Sequence, residues 1–195
     1  DVSGAGAYNG ANIDVYTSNG TIAQSFSAYN LNPNVPSQGR VVDDGVYTFV
    51  SSSNSNSAVA LGEPLDANGT LLGIADANGS STSQQFMLTY GDDGYYRIRS
   101  VSSQKGLDLK DGDFLAGAKI QQWDYSSANK NQKWVVSKNS DGTYSVVSAS
   151  TGLAWDLSGN SLVCNPVSSS SSQRWSLNKY VPVIETGAYI LKSGV

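Results

Sequence analysis

The chain contains no histidine. That removes the commonest general base and the commonest metal ligand together. A Ser-His-Asp or Cys-His nucleophile cannot be assembled from it. Cysteine is nearly missing as well. Cys164 stands alone, so no internal disulfide can form. Charged residues make up 14% of the 195, well below the usual quarter. The 12 Lys and Arg are scattered singly, and the net charge is −4. This is not the basic footprint of a nucleic-acid binder, so no nucleic-acid partner is expected. No apolar run approaches the roughly 18 residues of a membrane span, and no membrane insertion is expected. Helical patterning is absent too: no segment keeps a 3.6-residue apolar period over three turns.

What is present is repetition. Gln-x-aromatic occurs as Gln24-Ser25-Phe26, Gln84-Gln85-Phe86, Gln132-Lys133-Trp134 and Gln173-Arg174-Trp175. Gly-x-Tyr runs in step, as Gly45-Val46-Tyr47, Gly94-Tyr95-Tyr96, Gly142-Thr143-Tyr144 and Gly187-Ala188-Tyr189. The chain is therefore built from copies of one unit of roughly 40–50 residues, and a period of that size decides architecture. Short runs of β-formers such as Val46–Val50, Tyr95–Arg99 and Tyr144–Val147 alternate with Asn-Gly and Asp-Gly turns. The sequons at Asn19, Asn68 and Asn78 are all Asn-Gly and read as tight turns. The pairs Asp43-Asp44 and Asp92-Asp93 each precede glycine and read as turns, not as catalytic carboxylates.

Three units are complete, at about 44–91, 92–139 and 140–180. The expected organisation is a partial repeat over 1–29, a linker over 30–40 holding Pro33 and Pro36, one domain over 41–180, and the start of a further repeat over 181–195. Because Asp1 falls in mid-unit, the chain reads as a piece of a longer polypeptide. The two end fragments together supply nearly one whole unit. Their exposed strand edges point to weak self-association between chains, with a disordered tail as the alternative.

Gln-x-Trp units with Gly-x-Tyr openings and a central Leu-Asp resemble the ricin B-chain-type lectin family, in its bacterial secreted or cell-surface form. The resemblance covers nearly the whole chain. It implies an all-β fold, the β-trefoil, with twelve strands: six in a barrel and six in a cap of three hairpins. It also implies an extracellular or cell-surface location, no enzymatic activity, no cofactor and no metal.

Alternation locates a candidate site in the second unit. In Ile120-Gln121-Gln122-Trp123, an inward Ile120 makes Gln122 inward and Gln121 and Trp123 outward. Asp108 lies between Leu107 and Leu109 and also points out. Gln122 is then a buried amide without an evident partner. A carboxylate, amides and one exposed indole suit a sugar, whose C–H face stacks while its hydroxyl edge hydrogen-bonds. Position by position, the set is similar to the family's galactose site. The resemblance gives Asp108 two ring hydroxyls, Trp123 the stacking face, Asn131 a neighbouring hydroxyl and Gln121 the far end of the sugar. Gln132 would buttress Asp108. The expected partner is thus a galactose-type glycan.

The other units depart from this pattern. The first has Ala58-Val59-Ala60-Leu61, with its platform position near Ile74 or Ala75, and is expected to be inactive. The third keeps Asp156 but has Asn165 as platform and Ser172 for Asn131, and is expected to be impaired. The N-terminal piece offers half of a second, weak site in Asp1, Asp14, Tyr16 and Gln24. Phe86, Trp134 and Trp175 are expected in the core, and Cys164 as a small buried hydrophobe. The competing reading is a structural spacer or adhesin repeat whose sugar sites have decayed. The complete set at 108, 121, 123 and 131 argues against it.

Overall fold

The structure is a computed structural model and describes residues 35–181. The expected partial repeats over 1–29 and 181–195, and the half-site at Asp1, Asp14, Tyr16 and Gln24, fall outside the described residues, Val181 apart. The first repeat holds β1 (Gly45–Ser51), β2 (Ser57–Leu61), β3 (Leu72–Asp76) and β4 (Phe86–Tyr90). The second holds β5 (Tyr96–Ser100), β6 (Gly106–Leu109), β7 (Ala118–Trp123) and β8 (Trp134–Lys138). The third holds β9 (Tyr144–Ser148), β10 (Ala154–Ser158), β11 (Ser161–Asn165) and β12 (Trp175–Lys179).

The outer strands of the repeats close a ring. β1 pairs β4, β4 pairs β5, β5 pairs β8, β8 pairs β9, β9 pairs β12 and β12 returns to β1, all antiparallel. Closure leaves this barrel without a free edge. The inner strands form three hairpins, β2–β3, β6–β7 and β10–β11. Bridges join them into a cap: Ser161 to Gly73, Cys164 to Ala118 and Leu71 to Gln121. Six barrel strands capped by three hairpins make a β-trefoil.

The aromatic residues explain why the barrel closes. Phe86, Trp134 and Trp175 are fully buried, each opening the last strand of its repeat. Trp155, at the repeat position of Leu107, is the hub. Its ring centroid lies 5.2 Å from Phe49, 5.4 Å from Trp134 and 6.3 Å from Trp175. Trp134 Nε1 donates to the Leu107 carbonyl at 3.0 Å. The indole N–H groups of Trp155 and Trp175 are buried without an acceptor. Such an unpaired donor costs about 1–3 kcal/mol, which the apolar burial of each ring offsets.

The structure also gives a reason for the recurrent glutamine. Each one ends a short 3-10 turn (Thr82–Gln84, Lys130–Gln132, Ser171–Gln173) and is buried. Each side-chain amide clamps the loop before it. Gln84 donates to Asp76 O and accepts from Asn78 N. Gln132 does the same with Asp124 O and Ser126 N, and Gln173 with Pro166 O and Ser168 N. An amide has one donor end and one acceptor end, so it satisfies a C=O and an N–H two residues apart at once. Glutamate at this position would lack the donor.

Gln122 also finds its partners. It accepts from Ser103 Oγ at 2.6 Å and donates to Leu65 O at 3.1 Å and Ala67 O at 2.8 Å. Both acceptors belong to the first repeat, so the buried amide locks two repeats together. Cys164, its counterpart in the third repeat, is fully buried, and burial pushes its thiol pKa up.

Candidate functional site

Strand register builds the site. β6 and β7 pair Asp108 with Gln121 and Gly106 with Trp123, so carboxylate, amide and indole share one face of the hairpin. The Lys130–Gln132 turn closes over that face. Gly106 permits this: a Cβ there would stand 2.5 Å from Gln132 Oε1. Asn129 caps the turn, its Oδ1 accepting from Asn131 N at 3.0 Å. The result is a cleft of about 200 Å³ walled by Asp108, Asp111, Gln121, Trp123, Asn129 and Asn131.

Asp108 is the polar centre. Its Oδ1 accepts from Gln121 Nε2 at 3.2 Å, and its Oδ2 from Asn129 Nδ2 at 3.0 Å and Gln132 Nε2 at 3.2 Å. Here the outward-facing expectation needs correction. Asp108 and Gln121 face the cleft but are only 4% and 5% exposed, because the amides fold over the carboxylate. Gln121, expected at the far end of a sugar, directs one amide N–H to Asp108. Burial pushes the Asp108 pKa above the usual carboxylate value of 3.8, and outweighs the hydrogen bonds from Gln121, Gln132 and Asn129 that favour the anion.

Trp123 is 43% exposed at the cleft rim. It is fixed from behind by the first repeat. Gly69 N donates to Gln122 O and Gln122 N to Thr70 O, both at 2.9 Å. Asp124, the next residue, is held by Lys105 Nζ at 2.5 Å and Asn68 Nδ2 at 2.9 Å. Asn131 is half-buried, and its side-chain amide has no hydrogen-bond partner among the described residues. The arrangement therefore offers an aromatic face, a carboxylate and an amide with donor and acceptor both available.

The sequence reading missed Asn129 and Asp111. Asn129 could have been found as a cap residue opening a turn. Asp111 has φ of 58°, and nothing in the local sequence announced that it would wall the cleft.

The equivalent faces of the other repeats differ. In the first, Ala60 stands at the Asp108 position and Ala75 at the Trp123 position, opposite Ala58. In the third, Asn165 occupies the platform position and turns inward. It donates to Asp156 Oδ2 at 3.0 Å and accepts from Gly117 N at 2.8 Å. Burial pushes the Asp156 pKa up, but hydrogen bonds from Ser172, Gln173, Asn165 and the Leu157 N–H outweigh it and hold it below the usual value. The pair Asp92-Asp93 is a turn whose Asp93 binds Arg97 and Lys133.

A family profile described as ricin-type beta-trefoil lectin domain-like matches residues 35–123, 82–167 and 130–193. The chain belongs to this family. Three overlapping matches follow the threefold repeat. No curated protein matches this lectin-family chain. Among solved structures it is similar to the designed threefold-symmetric protein ThreeFoil, with a TM-score of 0.65 and 26% identity over 70% of this chain and 100% of that one. A Polyporus squamosus lectin solved with a human-type influenza-binding epitope has a TM-score of 0.62 at 21% identity, over 72% of this chain and 50% of that one. An exo-beta-1,3-galactanase from Clostridium thermocellum has a TM-score of 0.64 at 24% identity, over 72% and 31%. This chain thus spans half or less of the last two, and the likeness to them is one of fold.

Proposed function

We propose that the chain is a non-catalytic carbohydrate-binding module that takes one galactose-type sugar in the cleft of the second repeat. The proposal places it in a larger secreted or cell-surface protein, with the trefoil domain at 41–180. The observation that carries it is Trp123: an exposed indole at the rim of a cleft whose floor is a hydrogen-bonded carboxylate. In the spacer reading, an exposed tryptophan and a half-buried amide without a partner have no purpose. The glycosidase among the structural relatives is larger than this chain, and its activity is not carried over.

A shallow site for one sugar should bind with a dissociation constant on the order of 0.1–10 mM, about −3 to −5 kcal/mol. Useful avidity would come from several copies. Calorimetric titration of the chain with galactose, alongside Trp123→Ala, tests the reading. Heat that survives unchanged in Trp123→Ala would overturn it.

The same titration should saturate at one principal site per chain, because only the second repeat joins carboxylate and platform. A weaker second event would be assigned to Asp1 and Tyr16. Three equivalent sites per chain would refute this repeat-by-repeat reading.

Binding should fall on acidification sooner than for an ordinary aspartate. The raised Asp108 pKa means that the folded chain takes up this proton more readily than the unfolded one. Above the folded pKa the buried anion therefore costs stability, and that cost fades as pH drops through the folded pKa. Sugar affinity runs the other way, since protonation removes the acceptor. Titration from about pH 7 down to about pH 4 should show affinity lost while the fold, followed by tryptophan fluorescence, is kept. Affinity constant down to the ordinary aspartate value would contradict the assignment of Asp108.

A further inference from the structure

A second cleft of about 210 Å³ adjoins the first, and Asp111 and Asn131 wall both. Its other side is Phe114 and Lys130 from the second repeat with Ser150 and Thr151 from the third. Phe114 is 37% exposed and lines the cleft. Lys130 forms no ion pair among the described residues, whereas the carboxylate of Asp111 is met by Lys110 Nζ at 2.5 Å. Thr151 Oγ1 accepts a long hydrogen bond from Leu153 N at 3.4 Å, which leaves its O–H to donate.

Loop length explains why this annex exists beside one site only. β10 and β11 of the third repeat are joined by Gly159 and Asn160 alone. The first repeat has a long connection over 62–71, but it is spent against β7 through Gly69 and Thr70. The connection over 110–117 in the second repeat is long and projects Phe114 toward the Ser150-Thr151 turn. It rests on Asn131, because a Cβ on Gly112 would come within 3.1 Å of Asn131 Oδ1. The Asn131 amide stands between the clefts and has capacity to bond a hydroxyl in either.

From this geometry we propose that the natural ligand is at least a disaccharide, with its second sugar seated between Phe114 and the Ser150-Thr151 turn. The inference rests on the single-sugar reading of the Trp123 cleft. Each cleft has room for about one ring, and each supplies an apolar face with hydroxyl partners. The second sugar is attached on the edge of the first that faces Asn131.

The test is calorimetry on the full chain with galactose and with galactose disaccharides linked through each ring position. One or two added hydrogen bonds predict that at least one disaccharide binds about tenfold tighter than galactose. Phe114→Ala and Thr151→Val should each bring that disaccharide down toward galactose. Galactose itself should change by less than about twofold, as expected for a separate site. Should Phe114→Ala disturb the fold, Thr151→Val and Lys130→Ala carry the same comparison. The proposal is overturned if no linkage improves on galactose, or if these substitutions weaken galactose and disaccharide equally. Failure of the underlying site looks different: galactose does not bind, and Trp123→Ala changes nothing.

Discussion

Replacing Trp134 by alanine is expected to destabilise the fold by about 3–5 kcal/mol, measured by chemical denaturation. The ring is fully buried, packs edge-on against Trp155 and donates its N–H to Leu107 O. Truncation opens a cavity where the three repeats meet and leaves a buried carbonyl without a donor. The surrounding barrel is closed on itself, so it cannot collapse far into the gap. Phe86, at the same position in the first repeat, shows that a smaller ring is tolerated there, and Trp134→Phe should cost much less than Trp134→Ala. A loss under about 1 kcal/mol for Trp134→Ala would mean that the shared aromatic core does not hold the repeats together.

Replacing Asp108 by alanine is expected to abolish sugar binding, a loss of more than about 100-fold if the charge-assisted hydrogen bonds are made as proposed. Stability should fall by only about 1–3 kcal/mol, the cost of leaving amide donors unsatisfied. Gln121, Asn129 and Gln132 all give hydrogen bonds to this carboxylate. Asp108→Asn is the sharper variant. It keeps the volume but turns one acceptor into a donor facing other donors. Trp123→Ala should also remove binding while changing stability by less than about 1 kcal/mol, since the ring is a surface platform. Asp108→Ala that binds galactose normally would place the site elsewhere.

Much of the fold was legible because it is written in repetition. Gln-x-aromatic and Gly-x-Tyr recur in register, and each occurrence within the described residues sits at the same point of its repeat. Alternation within β7 was sufficient to put Trp123 outside and Ile120 and Gln122 inside. It was not sufficient for Asp108 and Gln121. Alternation says which way a side chain leaves its strand, not what folds over it afterwards. The amides that cover Asp108 come from the Lys130–Gln132 turn and its cap, some twenty residues later in the chain. Trp155 escaped notice for a related reason. It stands at the repeat position of Leu107, just before the repeat Asp, and only the meeting of three repeats makes that position the centre of the core.

The sequence by itself determined the threefold architecture, the inward aromatic residues and the one repeat that keeps Asp, Trp and Asn together. These are properties of spacing and strand period, which act within a single unit. Tertiary structure decided the depth of the carboxylate, the backing of Trp123 by Gly69 and Thr70, and the inward turn of Asn165 in the third repeat. It also decided the annex beside Asn131. The carboxylate is covered within its own repeat, by a turn some twenty residues away, whereas the others depend on one repeat closing against the next.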